Sequence, residues 1–356
     1  MKPSTTIIAR FFLTILFFTI VHFAKAQDIQ QLIDEGIALH DKGEYVNAIK
    51  KYDEVLKLDA ANCTALYEKS YSLMALKKYD ESEKLVKQVL DDCKDADNRR
   101  MAFVNYGTLL DYKGDAKGAL KIYEKGIKEF PDSYLLYFNK GITQGSKGDN
   151  EEAIKSYQKA IQLNPFHASS HNALARMEVG KSRVKAMIGL FTFLLIEPEG
   201  ARAKQNLQLF DKLFMQGINQ KDEKNTVISI DAALLDPKRK TKEDDFSSLE
   251  LILSFLGADN KTPDTLGFNT DGERLSYKMQ LFFNGLSTTT KDSKGFYTNF
   301  YVPFLTEMKE KDFVTTACYI ALASAEKDET FLWLDQNKEK VKTFNEWFEQ
   351  YKWYKE

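Results

Sequence analysis

The sequence predicts an all-α fold: an α-solenoid of about five helix pairs, followed by a mostly helical C-terminal region packed on its end. The main observation is periodicity. Small residues recur at Gly36, Ser70, Gly107, Gly141 and Ala175, at intervals of 34, 37, 34 and 34. A fixed period near 34 with helical spacing inside each unit marks stacked supersecondary units that bury their apolar faces against one another. Composition agrees. The 356 residues are 43% hydrophobic with only 18 Gly and 7 Pro, enough for a large core and too few breakers for a loop-rich β chain. Disorder and a disulfide-held miniprotein are both excluded. Lys+Arg 50 against Asp+Glu 52 leaves no basic field, which argues against a nucleic-acid binder.

The first 26 residues read as a cleaved signal peptide. Lys2 and Arg10 precede the apolar stretch FFLTILFFTIVHFA, and Ala24-Lys25-Ala26 supplies the small-x-small pattern before Gln27. At 1.5 Å per residue this stretch spans roughly 21 Å, short of a hydrocarbon core of about 30 Å. Cleavage after Ala26 removes three cations and no acid, leaving 47 basic against 52 acidic residues. The expectation is export to the periplasm or cell surface, with no integral membrane span after cleavage.

Residues 27–218 form the repeat region. Two further columns share the period: Ala48, Ser82, Ala119, Ala153 and Met187, then Tyr52, Val86, Tyr123, Tyr157 and Phe191. Small residues in the first helix admit a close second helix, and the large ring fills the gap to the next unit. Gly43, Gly114 and Gly148 sit at the intervening turn, where a left-handed conformation suits glycine, while Pro131 and Pro165 stop the second helix at one phase. The runs from Gly36, Gly107 and Gly141 closely resemble the tetratricopeptide repeat family over residues 29–200. The fifth unit departs from the pattern. Its second helix, VKAMIGLFTFLLI from Val184, is apolar almost all round and needs cover on every side, which the rest of the chain is expected to supply.

Beyond the repeats, residues 201–218 read as one more amphipathic helix and 219–245 as a charged connector with at most one short strand, at 227–230. Residues 246–356 form a helical C-terminal domain, with helices at 247–257, 274–286, 311–326 and 328–354. Pro303 interrupts the aromatic stretch GFYTNFYVPFLTEM and predicts a kinked helix. Near the C-terminus Phe344, Trp347, Phe348, Tyr351 and Tyr354 are spaced as a core-facing stripe.

No catalytic residue, metal ligand set or cofactor motif emerges. There is no GxSxG, HExxH, phosphate-binding glycine loop or zinc-type CxxC. His167 and His171 stand four apart without a third ligand and read as solvent-side histidines. Cys318, in FVTTACYIALA, reads as a buried thiol. Cys63 would open the second repeat and Cys93 close it, so in an antiparallel pair they either bridge or remain two thiols at helix ends.

The family resemblance implies a groove lined by the first helix of each repeat, at repeat positions 2, 5, 9 and 12. Those positions include Ile33, Ile37, His40, Tyr67, Tyr71, Met74, Val104, Thr108, Asp111, Leu135, Phe138, Ile142, Asn172 and Arg176. Ile33, Ile37, Tyr67 and Tyr71 replace the Lys and Asn that family members use to clamp C-terminal carboxylates. Asn105 and Asn139, 34 apart, match the asparagine ladder by which some members hold a peptide backbone. The implied function is an exported scaffold or adaptor that binds a protein, a peptide or a partner helix. The alternatives are a C-terminal small-molecule or glycan site around Tyr297, Phe300, Tyr301, Trp333 or Trp347, and an enzyme hidden in residues 219–356.

Overall fold

The computed structural model describes residues 27–220, 226–235, 243–259, 261–289 and 294–353. The signal-peptide reading therefore lies outside the described residues. The chain separates into two compact units, residues 1–149 and 150–356, and the division falls inside the repeat run.

The first unit holds α1 (27–41), α2 (Tyr45–Leu58), α3 (Cys63–Ala75), α4 (Tyr79–Asp92), α5 (Ala96–Tyr112), α6 (Ala116–Glu129) and α7 (Tyr134–Ser146). Consecutive helices pack on one another. Asn62, Asp95 and Asp115 cap α3, α5 and α6 by accepting the backbone N–H of Ala65, Asn98 and Gly118. The second helices bury the same three columns: Ala48, Tyr52 and Val55 in α2, Ser82, Val86 and Val89 in α4, Ala119, Tyr123 and Gly126 in α6. A Cβ on Gly36 would meet Tyr52 Cε1 at 2.4 Å, and one on Gly107 would meet Tyr123 Cε1 at 2.2 Å. The large ring thus lies over the glycine of its own helix pair rather than only in the gap to the next unit. Tyr52 does extend the core onward by clustering with Ala65 of the next pair. The turn glycines Gly43 and Gly114 are left-handed (φ 78° and 83°), and Lys77 takes that conformation (φ 60°) at the turn of the second helix pair. Cys63 and Cys93 are joined by a disulfide with Cα atoms 5.9 Å apart.

The second unit begins with α8 (Asn150–Leu163), α9 (Ala168–Glu178), α10 (Arg183–Ile196) and α11 (Gly200–Phe214). Helix α11 ends four residues before the predicted 218, because the chain turns at Gly217 (φ 82°) into a hairpin of β1 (Ile218–Gln220) and β2 (Thr226–Ile228). The connector thus carries two short strands where the sequence indicates at most one. There follow α12 (Ser247–Ala258), α13 (Lys261–Thr265), α14 (Asp271–Thr289), α15 (Phe296–Glu310), α16 (Val314–Ala321), α17 (Asp328–Gln336) and α18 (Lys338–Gln350). The single helix expected over 328–354 is broken at Asn337. Helix α10 is buried on all sides, from Val184 to Leu195, among α9, α11, α12 and α16. The apolar helix of the fifth pair is therefore covered by the C-terminal helices, as its composition requires.

Candidate functional site

The first helices of the first unit place a run of rings and carboxylates around Tyr71 of α3. Tyr71 and Tyr67 are one helical turn apart and their rings lie parallel, 6.4 Å between centroids. His40, at the end of α1, stacks on Tyr71 at 4.6 Å and meets Tyr45 edge-on at 5.0 Å. His40 Nδ1 lies 2.8 Å from Ser72 Oγ, which fixes the imidazole plane. Tyr112, at the end of α5, stacks on Tyr79 with centroids 6.1 Å apart and ring planes inclined by 28°. Burial, then the phenol of Tyr112 and the carboxylate of Glu68, push the Tyr71 phenol above its ordinary range, with smaller contributions from Tyr45 and Asp41. His40 and Tyr67 thus stack beside the Tyr71 ring, and Tyr112, Glu68, Tyr45 and Asp41 act on it electrostatically. Tyr71 is nonetheless 41% exposed and Tyr112 62% exposed. These are large solvent-facing rings that their own unit does not cover.

The acidic members are unusual. Burial raises the Glu68 carboxyl to about 7, and the neighbouring Asp41 carboxylate adds to the rise. Burial also raises Asp111, although a hydrogen bond from Thr143 Oγ1 offsets part of this. His40 is lowered by burial against a smaller opposing effect of Asp41, so its ring favours the neutral form. Among the described residues, no lysine or arginine forms an ion pair with Asp41, Glu68 or Asp111.

The residues singled out from the repeat positions divide. Ile33, Tyr67, Met74 and Asn105 are buried, Ile37, Thr108, Phe138 and Asn139 are half-buried, and Tyr71 is open. Asn105 Nδ2 donates to Ser70 Oγ and Asn139 Nδ2 to Leu135 O, so both amides serve the helices themselves. Thr108 Oγ1 donates to Val104 O and lies 3.2 Å from Tyr123 Oη. Arg176 belongs to the second unit, where it reaches Asn172 and Asn206. Sequence reasoning did not single out Tyr45, Glu68, Asp41 and Tyr112. The available signal for Tyr45, Asp41 and Tyr112 was their place at the last turn of a first helix or the first of a second, beside the turn glycines.

The tetratricopeptide repeat family profile matches residues 134–167, the α7–α8 pair with its following turn. Residues 134–167 form a tetratricopeptide repeat. Among curated proteins none matches the chain. Solved structures similar to it include YrrB, described as a TPR protein with an unusual peptide-binding site (22% identity, 50% of this chain and 89% of that one, TM-score 0.35). A thermophilic TPR protein from Thermus thermophilus, TTC0263, is 17% identical over 52% of this chain and 98% of its own, with a TM-score of 0.44. PilF of Pseudomonas aeruginosa is 16% identical over 53% and 84%, with a TM-score of 0.45. In general terms, tetratricopeptide repeats are protein–protein interaction scaffolds and typically non-enzymatic.

The second unit spends its chemical groups on structure. His171 is fully buried, not solvent-side: its Nδ1 lies 2.7 Å from Tyr301 Oη and its Nε2 2.8 Å from Pro165 O. Burial lowers its pKa to about 4, and neither nitrogen is left for a metal. Of the rings considered for a ligand platform, three are core members, and Trp333 and Trp347 are half-buried. Tyr297, Phe300 and Tyr301 are buried, Trp333 stacks on Tyr319 at 4.1 Å, and Trp347 donates to Glu307. In the C-terminal stripe Phe344 and Phe348 are buried and Trp347 and Tyr351 half-buried, while Tyr354 lies outside the described residues. Cys318 is buried and its thiol is raised to about 12 by desolvation. A cavity of about 810 Å³ lies among the α9–α10 turn, the residues after β2 and the start of α12. Its charged wall is largely engaged. Arg183 pairs with Glu250 at 3.2 Å, and Asp244 caps α15 through the N–H groups of Tyr297 and Thr298. Among the described residues no helix is long and apolar enough to cross a membrane.

Proposed function

We propose that the chain is an exported adaptor that holds a partner peptide or helix on the first-helix face of its first unit. The observation that carries this reading is the Tyr71 cluster: the exposed rings of Tyr71 and Tyr112, with half-buried His40 and buried Tyr67 stacked beside Tyr71 and the imidazole plane fixed by the His40–Ser72 hydrogen bond. Preorganised aromatic surface of this kind supplies contact area at low entropic cost, which is what partner anchors require. The apolar leader before Gln27 supports export, and a disulfide between Cys63 and Cys93 suits an oxidising compartment.

The test is site-specific photo-crosslinking in intact envelope. A photoreactive residue replaces Tyr71 or Tyr112, and a control carries it at Lys84 on α4. Discrete protein adducts at Tyr71 and Tyr112, absent at Lys84, are expected. Adducts equal at all three positions, or only at Lys84, would remove this face as the docking site.

A further inference from the structure

Resting on that reading of the Tyr71 face, we infer that its partner presents lysine or arginine side chains, received between the tyrosine rings and the carboxylates of Asp41 and Glu68. The argument is charge complementarity. The first helices α1, α3, α5 and α7 carry seven acidic residues and four basic ones, whereas the second helices α2, α4 and α6 carry nine of each. The acidic excess therefore lies on the helices that bear the ring cluster. All four cations of the first helices are already engaged: Lys69 with Asp53 at 2.6 Å, Arg99 with Glu129 at 2.6 Å, Arg100 with Asp97 at 2.8 Å and Lys140 with Glu124 at 3.4 Å. Most of these ties run toward second helices and away from Tyr71. Among the described residues Asp41 and Glu68 have no cationic partner, and helix α1 carries no lysine or arginine at all.

The rings beside them complete the chemistry. A cation over a tyrosine face is attracted by the ring quadrupole, and more strongly where water is partly excluded, as beside the half-buried Glu68. His40, neutral and stacked on Tyr71, adds a third aromatic wall without opposing charge. An acidic segment meets the opposite situation, because each of its carboxylates would face uncompensated carboxylates across a partly desolvated surface. A cationic peptide with intervening apolar residues satisfies both the carboxylates and the exposed rings.

The experiment uses the oxidised chain from residue 27 to 356 and three blocked twelve-residue peptides. All share alternating leucines and differ only in the intervening residue, which is lysine, glutamine or glutamate. Affinities are measured calorimetrically at about 0.15 M salt, where surface charges are screened beyond about 8 Å. The lysine peptide is expected to bind about tenfold tighter than the glutamine peptide, and the glutamate peptide weakest. Asp41→Asn with Glu68→Gln removes a mutual repulsion, so the variant stays folded; it should reduce the lysine preference to about twofold or less. Tyr71→Ala should weaken the lysine and glutamine peptides alike. Equal binding of all three peptides, with loss in Tyr71→Ala, overturns the charge inference and leaves the docking face standing. A lysine peptide indifferent to Tyr71→Ala, or no binding of any peptide, overturns the inference; the docking face itself is judged by the crosslinking.

Discussion

At the residue scale, two positions carry more than their size indicates. Gly107 lies where any side chain strikes the Tyr123 ring, with Cβ-to-Cε1 at 2.2 Å. Alanine is the better helix former by up to about 1 kcal/mol, yet the ring is fully buried in the core of its pair. Overpacking wins, and Gly107→Ala should destabilise the first unit by about 1–3 kcal/mol, read as a lowered urea midpoint at constant slope. His171 shows the electrostatic counterpart. Burial dominates its titration and lowers it to about 4, against 6.5 in an unfolded chain. The unfolded state therefore binds the proton first as pH falls. The stabilisation associated with neutral His171 is complete above about 6.5 and is lost progressively as pH falls toward 4, on the order of 3 kcal/mol in all. Thermal melts between pH 7 and pH 4.5 should show this acid limb, and His171→Gln should flatten it while lowering stability at pH 7, because the imidazole links Tyr301 to Pro165.

At the element scale, the α3–α4 pair is the one closed by a covalent bond. The Cys63–Cys93 bridge joins the start of one helix to the end of the next across 30 residues, and closing such a loop contributes roughly 3–4 kcal/mol by chain entropy. Reduction with dithiothreitol, or Cys63→Ser, should lower the melting temperature of the first unit and leave that of the second unchanged. The helices themselves were legible in the sequence, because Gly36, Gly107 and the aligned tyrosines report helix-to-helix distance directly. The C-terminal elements were less so. The break at Asn337 and the β1–β2 hairpin depend on tertiary packing that has no fixed period. The partners of Asn105 and Asn139 were likewise hidden, since the same amide spacing serves a bound backbone or a neighbouring helix equally well; in the structure their Nδ2 groups donate to Ser70 Oγ and Leu135 O. The positional reading reached His40, Tyr67 and Tyr71 but not Tyr45 and Tyr112, which lie at helix ends rather than at the standard lining positions.

At the scale of the molecule, the first unit separates charge by helix type, and the titration of Glu68 turns that separation into a pH response. The groups acting on or acted on by Glu68 are Asp41 from α1, Tyr52 from α2, and Tyr67 and Tyr71 from α3, with His40 of α1 stacked on Tyr71 and Tyr112 of α5 influencing Tyr71. The tyrosines stay protonated through neutrality, since burial raises the phenols of Tyr52, Tyr67 and Tyr71. His40 stays neutral there because burial lowers it, and Asp41 is the nearby charge that raises Glu68. The group of this set that changes charge near pH 7 is Glu68, at about 7. Below that value its carboxyl is protonated and offers a cation only a dipole; above it the carboxylate offers a full charge. The lysine peptide should therefore bind more tightly at pH 8 than at pH 6, by about three- to tenfold, the size of one partly exposed charge interaction. Its binding at pH 6 should take a proton off the protein, measurable as a heat that varies with the buffer's ionisation enthalpy. The glutamine peptide should show neither effect, and Glu68→Gln should abolish both while leaving the Tyr71 contribution intact. A lysine affinity constant from pH 6 to pH 8 would show that the cation does not approach Glu68.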